Sequence, residues 1–180
     1  NLIEALGFLS NGKSFRADKE LQVIKFGEEV ARITGKIEGD DAVTLETVFA
    51  FLPSPGREAY FQKRFLVNTL PKRRIDFAGI LPSVLFTPED LEIIIASPSV
   101  RRNFFDSVLE QVDRDYRQSL LAYTKAMRQR NALLDDVRET GSRNVEQFTY
   151  WDNLLIMHGQ VITKKREAFV AFLNTQETSI

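Results

Sequence analysis

The sequence predicts an α+β fold in two parts, a β-rich lobe followed by a helical arm. Period-two alternation is concentrated in the first half, and three- and four-residue apolar spacing dominates the second. Two long helical patterns joined by a short polar break add an antiparallel hairpin to that arm. With 180 residues, 43% of them hydrophobic, the chain can bury a sizeable core.

Residues 1–10 carry Leu2, Ile3, Leu6 and Leu9 on one helical face. Asn11-Gly12 supplies the stop, because glycine accepts the left-handed conformation that ends helices. In residues 29–38, Ala31, Ile33, Gly35 and Ile37 alternate with Arg32, Thr34, Lys36 and Glu38, which is a strand. In residues 42–52, Val43, Leu45, Phe49 and Phe51 share one face, and Glu38-Gly39-Asp40-Asp41 makes the turn between the two strands. Pro53-Ser54-Pro55-Gly56 breaks the chain before a third strand near Tyr60–Val67, giving an antiparallel meander.

After a boundary near Leu81–Pro82 the pattern turns helical, so the expected domains are 1–82 and 83–180. Thr87-Pro88-Glu89-Asp90 is a helix start: a capping hydroxyl, proline at the first position, then acids facing the dipole. Ser97-Pro98 repeats the device ahead of Val100, Phe104, Val108 and Val112. A longer helix over 113–135 carries Tyr116, Leu120, Tyr123, Met127 and Leu134. Beyond Thr140-Gly141-Ser142 a last helix carries Phe148, Trp151, Leu155, His158, Ile162 and Phe169, the spacing of a coiled-coil seam.

Composition excludes several chemistries. There is no cysteine, so disulfides and thiolate metal sites are absent, which suits a reducing cytoplasm. The single histidine, His158, falls on the seam, where packing already explains it. No apolar run approaches the ~20 residues of a membrane-spanning helix. The net charge of −1 does not announce nucleic-acid binding, so local basic clusters must carry that argument. These are Lys13 and Arg16 after the first helix, the turn Lys72-Arg73-Arg74, Arg101-Arg102, and the hairpin cations Arg128, Arg130, Lys164, Lys165 and Arg166. Each reads equally as a solvated face. Arg101 and Arg102 lie in a first helical turn, against the dipole, and call for a partner such as Glu89 or Asp90. Asn11-Gly12-Lys13-Ser14 is no phosphate loop, since it comes after a helix and lacks the first glycine of GxxxxGK[ST].

Leu85-Phe86-Thr87-Pro88-Glu89-Asp90-Leu91, then Ser97-Pro98-Ser99-Val100-Arg101-Arg102-Asn103-Phe104-Phe105-Asp106, resembles the signature of the RecF family. Arg128-Gln129-Arg130-Asn131-Ala132-Leu133-Leu134, Trp151-Asp152 and Gly159-Gln160-Val161-Ile162 are similar to its downstream blocks. Asn1-Leu2-Ile3-Glu4-Ala5-Leu6 resembles the stretch just after the family's phosphate-binding Gly-Lys-Thr, and Gly12-Lys13-Ser14-Phe15-Arg16 resembles its next loop. Ala96 and Phe105 depart from the family's glycine and leucine without removing a polar group.

The resemblance implies a partial P-loop NTPase lobe of the ABC type, related to SMC heads, followed by the helical arm. It places the phosphate-loop lysine and threonine before Asn1, and the Walker B acid and signature motif after Ile180. The whole protein would be a weak DNA-dependent ATPase using ATP and Mg²⁺, and these residues alone would be inactive. It would dimerise around ATP, bind gapped or junction DNA, and work with a RecR-like partner in recombinational repair in the cytoplasm. Asn1 and Arg16 would face the nucleotide, with Arg16 stabilising phosphate charge unless Asp18 or Glu20 occupies it. Lys72, Arg73 and Arg74 would meet DNA phosphates. Pro88, Glu89, Asp90, Pro98, Arg101, Arg102, Asp106, Arg130 and Asn131 would be structural signature residues. The alternatives are a non-enzymatic interaction module and another SMC-like head, of the overcoming-lysogenisation type.

Overall fold

The computed structural model describes residues 2–15, 20–39, 41–54, 57–86, 91–95 and 97–176. Its contacts group the chain into two units, Asn1–Val112 and Asp113–Ile180. The division expected at 82 falls within the first of these units.

In the first unit, helix α1 (Leu2–Asn11) ends as expected at Gly12, whose φ is 67° and whose N–H donates to the Phe8 carbonyl at 2.9 Å. The buried face differs from the expected one. Phe8, Leu9 and Ser10 are buried, whereas Leu2, Ile3 and Leu6 are 79%, 60% and 48% exposed. Only the last turn of α1 meets the sheet, and Gly35 explains why it can approach there. A Cβ at Gly35 would stand 2.5 Å from Leu9 Cδ1.

The sheet is an antiparallel meander in the order β1 (Val30–Ile37), β2 (Val43–Ser54), β3 (Arg57–Val67), β4 (Leu70–Lys72). β1 alternates exposed and half-buried residues along its length, as its period-two pattern requires. β2 runs antiparallel to β1 from Val30↔Ala50 to Ile37↔Val43, and pairs with β3 on its other side. The sequence pattern does not predict the fourth strand, because Pro71 reads as a breaker. Proline is tolerated on an edge strand, and β4 is one. The two-residue turn Asn68-Thr69 has φ of 48° and 66°, the handedness that suits a tight hairpin. Asn68 stabilises it by continuing the ladder: its N–H donates to Thr44 O and its Oδ1 accepts from Thr44 N, both at 2.8 Å.

Two core clusters form among the described residues of this unit. Leu9, Leu45, Phe65 and Phe77 form one, and Phe8, Ile24 and Phe49 the other. Edge-to-face packing of Phe8 on Phe49 (4.9 Å) and the tilted Phe65–Phe77 pair (4.9 Å) anchor α1 and the short α2 (Arg74–Phe77) to the sheet.

A short helix α3 (Glu92–Ile95) precedes α4 (Pro98–Val112), which starts with proline in its first position as expected. On α4 Leu109 is buried; of the expected series Val100 and Val108 are half-buried, while Phe104 and Val112 are 37% and 70% exposed. The expected series Val100, Phe104, Val108, Val112 advances by four, and at 3.6 residues per turn it rotates by about 40° per step away from any fixed face.

The second unit is the helical hairpin α5 (Arg114–Thr140) and α6 (Val145–Gln176). Asp113 caps α5, its carboxylate accepting from the Tyr116 N–H at 2.9 Å. Gly141 closes the other end with φ 71°. On α6, Phe148 and Ile162 are buried and Trp151, Leu155, His158 and Phe169 half-buried, as the seam spacing predicts. On α5 the seam runs through Tyr116 and Ala126, both 0% exposed, and Leu133. Met127 and Leu134, expected there, are 42% and 41% exposed. Tyr116, Leu120 and Tyr123 are buried or half-buried as expected; beyond them the stripe is displaced by one position, at the first step because Met127 outweighs Ala126 in the pattern.

Candidate functional site

Of the expected site residues, Asn1, Arg16, Pro88, Glu89 and Asp90 lie outside the described residues. The basic turn at 72–74 is described, and its three cations have different surroundings. Lys72 stands exposed on edge strand β4, fixed by the Phe65↔Lys72 pairing. Arg73, in extended conformation before α2, pairs with Asp76 at 2.9 Å but remains 75% exposed. An exposed i,i+3 pair contributes well under ~1 kcal/mol, so Arg73 can exchange Asp76 for another anion at little cost. Arg74 points inward. Its guanidinium donates to the Asn11 carbonyl at 3.0 Å and to Glu110 Oε1 at 3.2 Å.

Those two bonds belong to a polar network that sequence reasoning missed. Glu110 on α4 also meets Lys13 at 3.6 Å. Lys63 on β3 donates to the Gly12 carbonyl at 2.8 Å and pairs with Glu20. Glu20, a candidate partner for Arg16, is thus engaged by Lys63. Burial lowers the Lys63 ammonium below the ordinary lysine range; Glu20 opposes that shift, and Arg74 and Lys13 add to it. Nearby, buried Ser10 donates to Gln111 Oε1 at 3.1 Å, and the Ser83 hydroxyl donates to Ser10 Oγ at 2.9 Å. Gln111 also accepts from the Ser83 N–H at 2.9 Å. The partners are 28 to 101 residues apart in sequence, so no local spacing could have announced them.

Arg101 donates to the carbonyls of Ile93 and Ile94, at 3.4 and 3.5 Å. The cation that opposes the α4 dipole therefore meets the outgoing carbonyls of α3. Arg102 and Pro98 are exposed and Asp106 is half-buried.

On the hairpin, Arg130 Nε donates to Asp152 Oδ1 at 2.5 Å, and its guanidinium lies 5.8 Å from the Phe148 ring centroid. This contact joins the Arg128–Leu134 block to Trp151-Asp152, two stretches that carry the family resemblance. Asn131 beside it is exposed. Lys165 donates to Asp113 Oδ2 at 2.5 Å, and Arg166 Nε to the Tyr116 hydroxyl at 3.0 Å. Burial pushes the Asp113 carboxyl up, but the hydrogen bonds from Lys165 and the Tyr116 amide outweigh it and hold the group below its ordinary value. Hydrogen bonding to Asp113 raises the Lys165 ammonium correspondingly. Of the basic run 164–166, only Lys164 is left exposed.

Among the described residues no group of three or more His, Cys, Asp or Glu is placed to hold a metal, and no helix is long and apolar enough to cross a membrane. No GxxxxGK[ST] occurs among the 180 residues. What they offer is an exposed cationic edge at Lys72 and Arg73 and a braced loop after α1.

No family model matches the chain. Similar sequences do. The DNA replication and repair protein RecF of Thermomicrobium roseum is 35% identical over 180 residues, covering 95% of this chain and 45% of its own length. That of Lachnospira eligens is 33% identical over 177 residues, covering 97% of this chain and 47% of its own. Among solved structures, the recombination mediator protein RecF of the RecFOR pathway, as RecF-ATPrS, superposes with a TM-score of 0.81 at 31% identity. That match covers 94% of this chain and 44% of the other. The chain therefore spans about half the length of the relatives it matches. The α+β architecture, an antiparallel meander with a helical arm, is the RecF fold over this stretch. In both sequence and fold, these 180 residues are homologous to RecF.

Proposed function

We propose that this chain supplies part of an ATP-dependent DNA-binding protein of recombinational repair. The observation that carries this reading is the similarity to RecF along nearly the whole chain, in sequence and in fold, including structures described as RecF-ATPrS and RecF-ATP in the RecFOR pathway. The α1 lobe would face ATP and Mg²⁺ in an ATP-linked homodimer, with Asn1 and Arg16 on the nucleotide side. ATP in such a site supplies binding energy and phosphoryl chemistry, which depend on positioning and charge neutralisation. Gapped or junction DNA and a RecR-like protein would be the partners, in the cytoplasm.

The DNA contact narrows to Lys72 and Arg73. Both are exposed, while Arg74 is occupied by Glu110 and the end of α1. Two lysine- or arginine-to-phosphate contacts add affinity and salt sensitivity without reading sequence. Pro98, Arg101, Arg102 and Asp106 would hold the arm, and Arg130 and Asn131 the hairpin.

The test is DNA binding across a salt series by a RecF-length protein carrying this segment, with Lys72→Ala/Arg73→Ala compared with the parent. The slope of log affinity against log salt should fall by up to about two units. An unchanged slope rejects the contact.

A second reading has an observation of its own. A groove of about 520 Å³ near the hairpin turn is lined by Leu133, Tyr150 and Trp151 with Asp136 and Glu146. Such a groove suits a protein-interaction module, and competition by a RecR-like protein blocked by Trp151→Ala would support it.

A further inference from the structure

The groove near the hairpin turn is built from one face of each helix. Ala132, Leu133 and Asp136 of α5 line one side, and Glu146, Tyr150 and Trp151 of α6 the other, around about 520 Å³. The short side chain of Ala132 helps to keep that volume open.

Two properties bear on what the groove can hold. Its apolar wall is aromatic and presented to solvent. Tyr150 is 58% exposed and packs edge-to-face on Trp151, with ring centroids 4.8 Å apart, while Trp151 and Leu133 are half-buried. Tyrosine and tryptophan give large contact area for little loss of side-chain freedom, and they dominate interface hot spots.

Its charge, secondly, has one sign. Asp136 and Glu146 line the groove and no lysine or arginine does. Among the described residues neither carboxylate has a cation partner. Arg143, close by in sequence, lies instead over the Phe148 ring, 5.3 Å from its centroid. Glu146 gains from its place in the first turn of α6, where the helix dipole favours an acid. Asp136 has no such gain, because it stands toward the carbonyl end of α5. An aromatic wall beside two uncompensated carboxylates favours a cation, which meets a ring face and a carboxylate together. The same carboxylates repel nucleic-acid phosphate. A groove between two packed helices also accepts a third amphipathic helix, held by apolar anchors at i, i+3, i+4 and i+7.

We propose that this groove docks a basic amphipathic helix of a protein partner, with aliphatic side chains against Leu133, Tyr150 and Trp151 and a lysine or arginine at Asp136 and Glu146. That occupant deepens, and rests on, the protein-interaction reading of the groove given above.

The test uses a RecF-length protein carrying this segment and two labelled synthetic helical peptides. Both have leucines at i, i+3, i+4 and i+7; one has lysines and the other glutamates at the remaining positions. Fluorescence anisotropy should show the lysine peptide binding, more weakly as salt rises, and the glutamate peptide at least tenfold weaker. Asp136→Asn/Glu146→Gln should weaken the lysine peptide about tenfold. Asp135→Asn, which removes an acid of the same helix outside the groove, should leave its affinity unchanged. Trp151→Ala should cost about thirtyfold. Ala132→Arg, at an exposed position, should block the groove without disturbing the seam.

Equal binding of the lysine peptide by parent, Trp151→Ala and Ala132→Arg rejects the interaction reading itself. Binding that needs Trp151 but ignores Asp136→Asn/Glu146→Gln, or that favours the glutamate peptide, keeps that reading and overturns the basic partner. No binding of the lysine peptide to the parent overturns the proposal as well. Self-association of the protein that Ala132→Arg abolishes would assign the groove to a second copy instead.

Discussion

The two units hold themselves together by different means. In Asn1–Val112 the interior is aromatic and aliphatic, with Phe8, Phe49, Phe77 and Leu45 at 0% exposure around the sheet. In Asp113–Ile180 a 27-residue and a 32-residue helix share a seam whose buried apolar members are Tyr116, Ala126, Phe148 and Ile162, and polar contacts cross it as well. Arg130–Asp152, Lys165–Asp113 and Arg166–Tyr116 are cross-helix or cap contacts. Apart from the polar network at the end of α1, the first unit should therefore answer to volume, and the second to charge and pH as well.

The largest effect expected is in the first unit. Phe49→Ala empties a fully buried ring site between Phe8 and Phe61 and should cost about 3–5 kcal/mol, read as a denaturant midpoint shift. A cost below about 1 kcal/mol would mean that the aromatic cluster is not the anchor. Gly35→Ala adds volume to the same unit. Its Cβ would meet Leu9 at 2.5 Å, so a loss of about 1–3 kcal/mol is expected. The opposite sign is expected at Thr47, a fully buried residue whose hydroxyl has no hydrogen-bond partner among the described residues. Thr47→Val keeps the shape, removes that orphan, and should stabilise by about 1 kcal/mol.

Smaller effects belong to the hairpin. A double-mutant cycle on Arg130 and Asp152 should return a coupling of about 0.5–1 kcal/mol, discounted because both side chains are over a third exposed or close to it. Acid should act here too. The folded Asp113 carboxyl lies below its unfolded value, so its contribution is complete above about pH 3.9 and fades as pH falls through the lower folded value. Asp113→Asn should flatten that acid limb of hairpin stability, and an unchanged limb would assign it to other carboxylates.

The difference between the units also explains how much of each is legible in the sequence. Strand alternation in 29–38 marks β1 because half-burial on one face imposes it directly on the sequence. Gly12 and Gly141 mark helix ends because few other residues take a positive φ. The seam of α6 is legible from spacing, but on α5 Met127 outweighs Ala126 in the pattern, since an alanine in close contact is weak in pattern and strong in packing. β4 is hidden by Pro71. The polar network around Lys63, Arg74 and Glu110 is not legible at all. Its members come from β3, α2 and α4, and only the folded chain brings them to the end of α1. Likewise, Lys72-Arg73-Arg74 is one run in sequence but two environments in space.

ATP-linked DNA binding is the property on which the proposed function stands or falls. A RecF-length protein carrying this segment should be titrated with gapped and plain duplexes, with and without ATP, across a salt series. Tighter binding with ATP, preference for the gapped duplex and steep weakening with salt are expected. Binding indifferent to ATP, or absent at low salt, would contradict a RecF-like role for this chain.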